Sequence, residues 1–189
     1  VFFSSDNLIG KVKKINKEIY SHSKHLTDNN IFIFGIKPLS PSSEYGYFLS
    51  KRNSNNINKV IKFIEKPNKK RVKKIIKQKA YMNAGMFFAK KNSLITNFKK
   101  YQSSMYKNCL ISVNKSRLDK NIYYFNKTFF KKIKEISFDY AILEHSKDIN
   151  AIKLNIPLID LGNWKEIWKF FKTRNSKKFI KRNTFLRPW

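Results

Sequence analysis

The sequence is short of cysteine, glycine, proline and acids, and each shortage closes a class of explanation. One cysteine in 189 residues, Cys109, excludes a disulfide scaffold and a Cys-rich zinc module, and it fits a reducing compartment. Five glycines and five prolines exclude a collagen-like or linker-like chain. The longest uninterrupted apolar run, around Ile31–Phe34, is far below the length that crosses a bilayer. No signal peptide opens the chain, and its first residue is Val. These absences predict a soluble, cytoplasmic, globular piece of a longer protein with no membrane partner.

Acids are scarcer still: 12 Asp and Glu stand against 41 Lys and Arg, a formal net charge of +29. Such a balance commonly signals a polyanionic partner. Here Lys far outnumbers Arg, and the excess comes with many Asn, Ile, Phe and Tyr, residues that share A/T-rich codons. Codon drift would give this composition to any protein. The bases are also spread along the chain. Lys69-Lys70-Arg71, Lys73-Lys74 and Lys77 alternate with Val72, Ile75 and Ile76 as the solvated face of a helix does. A nucleic-acid module would need a clustered basic face with exposed aromatics, so drift and solvation are the preferred reading and no nucleic-acid partner is expected. With 41% hydrophobic and 15% aromatic residues the chain can bury a core.

Where acids are rare, those kept at apolar strand ends carry information: Asp6, Glu65, Asp139 and Asp160. Val1-Phe2-Phe3 reads as the end of a buried strand with Asp6 at its carboxyl edge, Leu8 to Ser23 as a helix, and Ile31–Ile36 as the next strand. Strand, helix, strand predicts a βαβ unit in a parallel sheet covered by helices, whose ligands gather at the carboxyl ends of strands. Asp6 is then either a ligand-binding group or the cap of the following helix. Gly46 between Tyr45 and Tyr47 suits backbone close to a ligand, or a simple bend. Lys59–Ile64 reads as a strand ending in Glu65-Lys66-Pro67, which could hold a polyol and a phosphate or merely leave the sheet into solvent. Asn83-Ala84-Gly85 suits backbone lying against a ligand, amid ordinary core residues. Residues 92–134 read as mostly helical. Ser137 to Glu144 reads as the start of a helix with Ser137 as its N-cap, and Ala151–Leu154 and Pro157–Ile159 as short strands. Asp160-Leu161-Gly162 is a turn or a site, before a helix carrying Ile167, Trp168 and Phe171. No His/Cys set has zinc spacing, and no Gly-rich phosphate loop or nucleophile elbow is present.

Seven short motifs then occur in order. They are Ser5-Asp6-Asn7-Leu8-Ile9, Phe34-Gly35-Ile36-Lys37-Pro38, Glu44-Tyr45-Gly46-Tyr47, Phe63-Ile64-Glu65-Lys66-Pro67, Asn83-Ala84-Gly85-Met86-Phe87, Asp139-Tyr140-Ala141-Ile142-Leu143-Glu144 and Asp160-Leu161-Gly162-Asn163-Trp164. In order and spacing they resemble the bacterial mannose-1-phosphate guanylyltransferases of the sugar-nucleotidyltransferase superfamily, from Val1 to about Leu186. The resemblance implies an α/β, Rossmann-like nucleotidyltransferase fold with a mixed central sheet flanked by helices, truncated at its N-terminus. Residues 1–175 would form that domain, and 176–189 the start of a C-terminal β-helical segment.

It also implies transfer of a guanylyl group from GTP to mannose-1-phosphate, giving GDP-mannose and pyrophosphate. Asp6 and Asp160 would hold Mg²⁺, which takes a few hard oxygens plus phosphates. Lys66 would neutralise the sugar phosphate, and Glu65 would bind sugar hydroxyls. Tyr45, Gly46, Asn83 and Gly85 would line the sugar pocket. Asp139 would join them as a ligand contact or as the organiser of its loop. A homo-oligomer is compatible with the full-length protein. The alternatives are another sugar 1-phosphate as substrate, a nucleotide-sugar glycosyltransferase with a similar metal site, or a basic nucleic-acid-binding module.

The chain departs from the family pattern in several places. The family's Gly-rich N-terminal signature is not among these residues. Asn7, Ala84 and Asn163 stand where many members have His, Ser and Ser, and Pro157-Leu158 replaces a common Gly-Trp pair. Arg187-Pro188-Trp189 matches the opening of an isomerase half by coincidence. This polypeptide alone is expected to lack transferase activity, and its central sheet to carry an unpaired apolar gap.

Overall fold

The computed structural model describes residues 1–53, 57–156, 158–162 and 164–173. Asn163, Pro157, the segment 176–189 and its Arg-Pro-Trp end lie outside these residues. The elements in chain order are β1 (Asn7–Ile9), α1 (Val12–Ser23), β2 (Ile31–Ile36), β3 (Tyr47–Arg52), β4 (Asn58–Ile64), α2 (Lys69–Lys77) and β5 (Tyr81–Ala89). There follow α3 (Lys91–Tyr101), α4 (Ser103–Asn114), β6 (Arg117–Asp119), β7 (Ile122–Tyr124), α5 (Lys127–Phe130), a π-helical turn (Asp139–Leu143), β8 (Ile149–Leu154), β9 (Leu158–Asp160) and α6 (Trp164–Thr173). The result is a mixed α/β fold with a central mixed sheet flanked by helices.

The composition of β2 explains its place at the centre. All six residues of Ile-Phe-Ile-Phe-Gly-Ile are buried, as expected of a strand covered on both faces. Alternation sends Phe32, Phe34 and Ile36 to one side, against Ile15 of α1, Met86, Phe88, Ile152 and Leu154. Ile31 and Ile33 go to the other, against Phe48, Phe63, Ile149, Ala151 and the apolar side of the π-helical turn. Each fully buried aliphatic or Phe side chain is worth roughly 1.5–3 kcal/mol, so β2 is a major anchor of the fold. Gly35 is required there: a Cβ would run into the Phe48 ring and stand 3.0 Å from Tyr81 Cβ.

Strand β2 pairs in parallel with β8 from Ile31↔Ile149 to Ile36↔Leu154, and antiparallel with β5. Strand β5 continues to β3, β3 to β4, and β4 meets β8 at Asn58↔Ala151 and Lys59↔Asn150, so the five strands close on themselves. The expected unpaired gap is therefore not seen among the described residues, because β4 curls back to cover the edge of β8.

Several local expectations are corrected. Val1, Phe2 and Phe3 are exposed, not a buried strand end. Phe2 alone bridges Phe87, by two backbone hydrogen bonds of 2.8 and 3.2 Å and a ring stack at 4.5 Å. Helix α1 begins at Val12, because Asn7–Ile9 is drawn into a two-stranded antiparallel ribbon with β9 (Asn7↔Asp160, Leu8↔Ile159, Ile9↔Leu158). The βαβ unit is thus not the source of the parallel pair, and Asp6 stands just before a strand instead of at its carboxyl end. The 92–134 stretch contains the hairpin β6–β7 as well as helices. The element after Ser137 is a π-helical turn, although the Ser137 hydroxyl does accept from the Tyr140 N–H at 3.3 Å.

Candidate functional site

The β1–β9 ribbon joins two aspartates 154 positions apart in sequence. The Leu161 N–H donates to the Asp6 carbonyl at 2.8 Å, which fixes the two loops. The Asp160 carboxylate accepts from the Gly162 N–H at 2.9 Å, closing the Asp-x-Gly turn. A Cβ on Gly162 would stand 2.7 Å from an Asp6 carboxylate oxygen and 3.1 Å from one of Asp160. Those oxygens are separated by no more than the two distances laid end to end, about 6 Å, within reach of one hard cation. Asp6 does not cap α1: Lys11 is the residue at that position, in a left-handed conformation and with no side-chain cap. The Asp6 carboxylate instead accepts from the Ser4 hydroxyl. Among the described residues no group of three or more His, Cys, Asp or Glu gathers into a metal cage. A pair of carboxylates with open coordination suits Mg²⁺, which keeps room for phosphates and waters.

Asn7 links this pair to the second cluster. Its side-chain amide donates to the Ala84 carbonyl at 3.2 Å and faces Gly85, whose φ of +67° favours glycine. Next along β5, the Asn83 N–H donates to the Gly46 carbonyl at 2.8 Å, and its side-chain amide donates to Asp139 Oδ1 at 2.7 Å. Gly46 is pressed against Glu65, since a Cβ there would collide with the Glu65 carboxylate and stand 3.0 Å from the Phe63 ring. The buried Tyr47 holds the preceding loop by donating to the Ser42 carbonyl at 2.9 Å, and half-buried Tyr45 packs beside it. The Glu65 N–H donates to Glu144 Oε1 at 2.7 Å. Lys66 is exposed and takes the left-handed region, φ 42°, between Glu65 and Pro67, a conformation few non-glycine residues adopt outside strained sites.

Two buried acceptors in this cluster have no hydrogen-bond partner, Glu65 Oε2 and Asn83 Oδ1. Burial first, then the charge of Asp139, pushes the Glu65 carboxyl up to about 7, with Lys66 pulling the other way and Glu144 adding to the rise. Burial also raises Asp139, against the hydrogen bonds of its own backbone and Asn83. The cluster is therefore a desolvated group of acids with two unpartnered acceptors, of the kind that functional sites build.

All the residues singled out from the sequence fall in this connected region. Asp6 and Asp160 form one end, and Tyr45, Gly46, Glu65, Lys66, Asn83, Gly85 and Asp139 the other. Sequence reasoning missed Glu144, Asn7 and Gly162 as parts of the site. The signals were present in the motifs: Glu144 sits one helical turn beyond Asp139, and Gly162 follows the aspartate by two.

A family model described as nucleotidyl transferase matches residues 1–177 of this chain. Among curated proteins, the mannose-1-phosphate guanylyltransferase of Escherichia coli is 29% identical over 182 residues, covering 93% of this chain and 39% of its own. The alginate biosynthesis protein AlgA of Pseudomonas putida is 22% identical over 169 residues, covering 87% and 35%. This chain thus spans under two fifths of the length of these relatives. The structure solved as mannose-1-phosphate geranyltransferase from Thermus thermophilus superposes with a TM-score of 0.75 at 19% identity, over 88% of this chain and 47% of that one.

Proposed function

The chain belongs to the nucleotidyl transferase family, and from that premise we propose that it supplies the metal-holding and sugar-holding part of a mannose-1-phosphate guanylyltransferase. The reaction joins GTP and mannose-1-phosphate into GDP-mannose and releases pyrophosphate. The observation that carries this reading is the meeting of Asp6 with Asp160, tied through Asn7 to an acidic cluster with two unpartnered buried acceptors.

Asp6 and Asp160 would hold Mg²⁺, which when bound neutralises phosphate charge and favours displacement at phosphorus. The chain's own residues do the rest. Glu65 Oε2 and Asn83 Oδ1 are acceptors, and sugar hydroxyls are the donors that satisfy them. Asp139 and Glu144 orient Asn83 and the Glu65 backbone, so the pocket is set before the sugar arrives. The exposed Lys66 ammonium, beside Glu65, would meet the sugar phosphate as a point charge. Gly46 lets the Glu65 carboxylate pack against its backbone, and Gly85 supplies the left-handed turn beside Asn7.

The test is pyrophosphate release from GTP with a panel of sugar 1-phosphates and Mg²⁺, using the full-length protein. Mannose-1-phosphate is expected to support the fastest turnover, with Asp6→Asn and Asp160→Asn each lowering it at least about a hundredfold. Preference for another sugar 1-phosphate would reassign the substrate, and release that survives both substitutions would remove the metal assignment.

A further inference from the structure

A second concavity, of about 530 Å³, opens away from the candidate active site at the start of β2 and β8. Asn30 precedes β2 and lines it, while Gly35, which pairs with Asn83, lies five residues further along. At the rise of a strand that is about 16 Å. Lys24 and His25, from the end of α1, form one wall, and Lys59, Asp148 and Asn150 form another.

The described lining is polar and tied by local hydrogen bonds. The Asn30 amide donates to the His25 carbonyl at 2.9 Å and its oxygen accepts from the Thr27 N–H at 3.0 Å. Lys59 is held at 3.1 Å by Asp148, the only acid among the described residues of the lining. Lys24 has no ion-pair partner among the described residues. Asn150 is only 6% exposed and its side chain lies in the lining. A side-chain amide can donate and accept, so it can bond a polar group that enters the hollow.

We propose that this hollow binds a small phosphate ester of a polyol, a sugar phosphate, at a site separate from the active centre. The surplus of lysine over acid fits one anionic group, with Lys24 as its free cation. The amides of the lining, Asn150 foremost, both donate and accept and so match hydroxyls. Ile57 is the one aliphatic side chain among the described residues of the lining, so these residues offer a nucleobase little apolar surface. The volume lies in the range of small-molecule pockets.

The test is a titration of the ¹⁵N-labelled chain with glucose 6-phosphate, with inorganic phosphate and glucose as comparison arms. Saturable shifts of the Asn150, Lys59 and His25 amides are expected, tighter with the ester than with either part. Lys24→Glu, a change at an exposed residue, should weaken this binding by at least about tenfold, as should Asn150→Leu. Lys66→Ala, in the candidate active site, should leave it unaltered. Shifts confined to Asn83 and Gly85 and lost in Lys66→Ala would overturn the proposal. So would inorganic phosphate binding as tightly as the ester, or no saturable binding. The wild-type shift map decides the matter even if Asn150→Leu fails to fold.

Discussion

Glu65 is the residue at which folding and chemistry press against each other. Its carboxyl titrates near 7 in the folded chain against an ordinary 4.5, because it is buried and faces Asp139. The folded state holds that proton more tightly than the unfolded one, so its contribution to stability is complete below about pH 4.5 and is lost as pH rises through 7. Glu65→Gln should flatten the fall in Tm between those pH values, and thermal melts of both proteins across that window would check it. The same substitution should raise the KM for the sugar phosphate about tenfold or more, through loss of a charged acceptor. Gly162 gives a sharper test of the aspartate pair. In Gly162→Ala the new methyl would press on both carboxylates, so the Mg²⁺ needed for half-maximal activity should rise at least about tenfold with little change in Tm. Asp6, Glu65 and Asp160 were legible because acids are rare in this chain. Their joining was not: no local pattern says that Asn7 will pair with Asp160 or that Glu144 will bond the backbone of Glu65, since both are contacts between distant segments.

Elements whose stability is local were read well, and those made by remote partners were not. Helix α2 follows from its own residues: Asn68 caps it by accepting from the Arg71 N–H at 2.9 Å, and Val72 and Ile75 bury the inner side. Asn68→Ala should cost about 1 kcal/mol, read as a lower urea midpoint with unchanged slope. The start of α1 was misplaced because Leu8 and Ile9 fit a helical stripe, yet the hydrogen bonds of β9 claim them for a strand. The hairpin β6–β7 was missed for the opposite reason. All six of its residues are exposed, so burial leaves no alternating trace in the sequence. A two-stranded ribbon without a buried face is marginal in water. Its amides from Arg117 to Tyr124 should exchange with solvent orders of magnitude faster than those of β2, a difference that native-state hydrogen exchange measures directly.

For the molecule as a whole, 41 Lys and Arg against 12 acids leave a net charge of +29, and the ion pairs seen among the described residues lie at the surface or partly so. Self-repulsion then opposes the compact state, and the Debye length falls from about 30 Å at 0.01 M salt to about 3 Å at 1 M. Tm should rise with NaCl over that range, where a chain of balanced charge would change little. The closed order of the five strands carries a consequence in time. Ile31–Ile36 finds its neighbour β8 only when Ile149 has been made, and ribosomes add about 5–20 residues per second. On the order of ten seconds therefore pass during which the most apolar strand of the protein leaves the exit tunnel with one edge unclaimed. Over that interval the nascent chain presents Ile-Phe-Ile-Phe to whatever chaperone attends it, and synthesis past Leu154 ends the exposure.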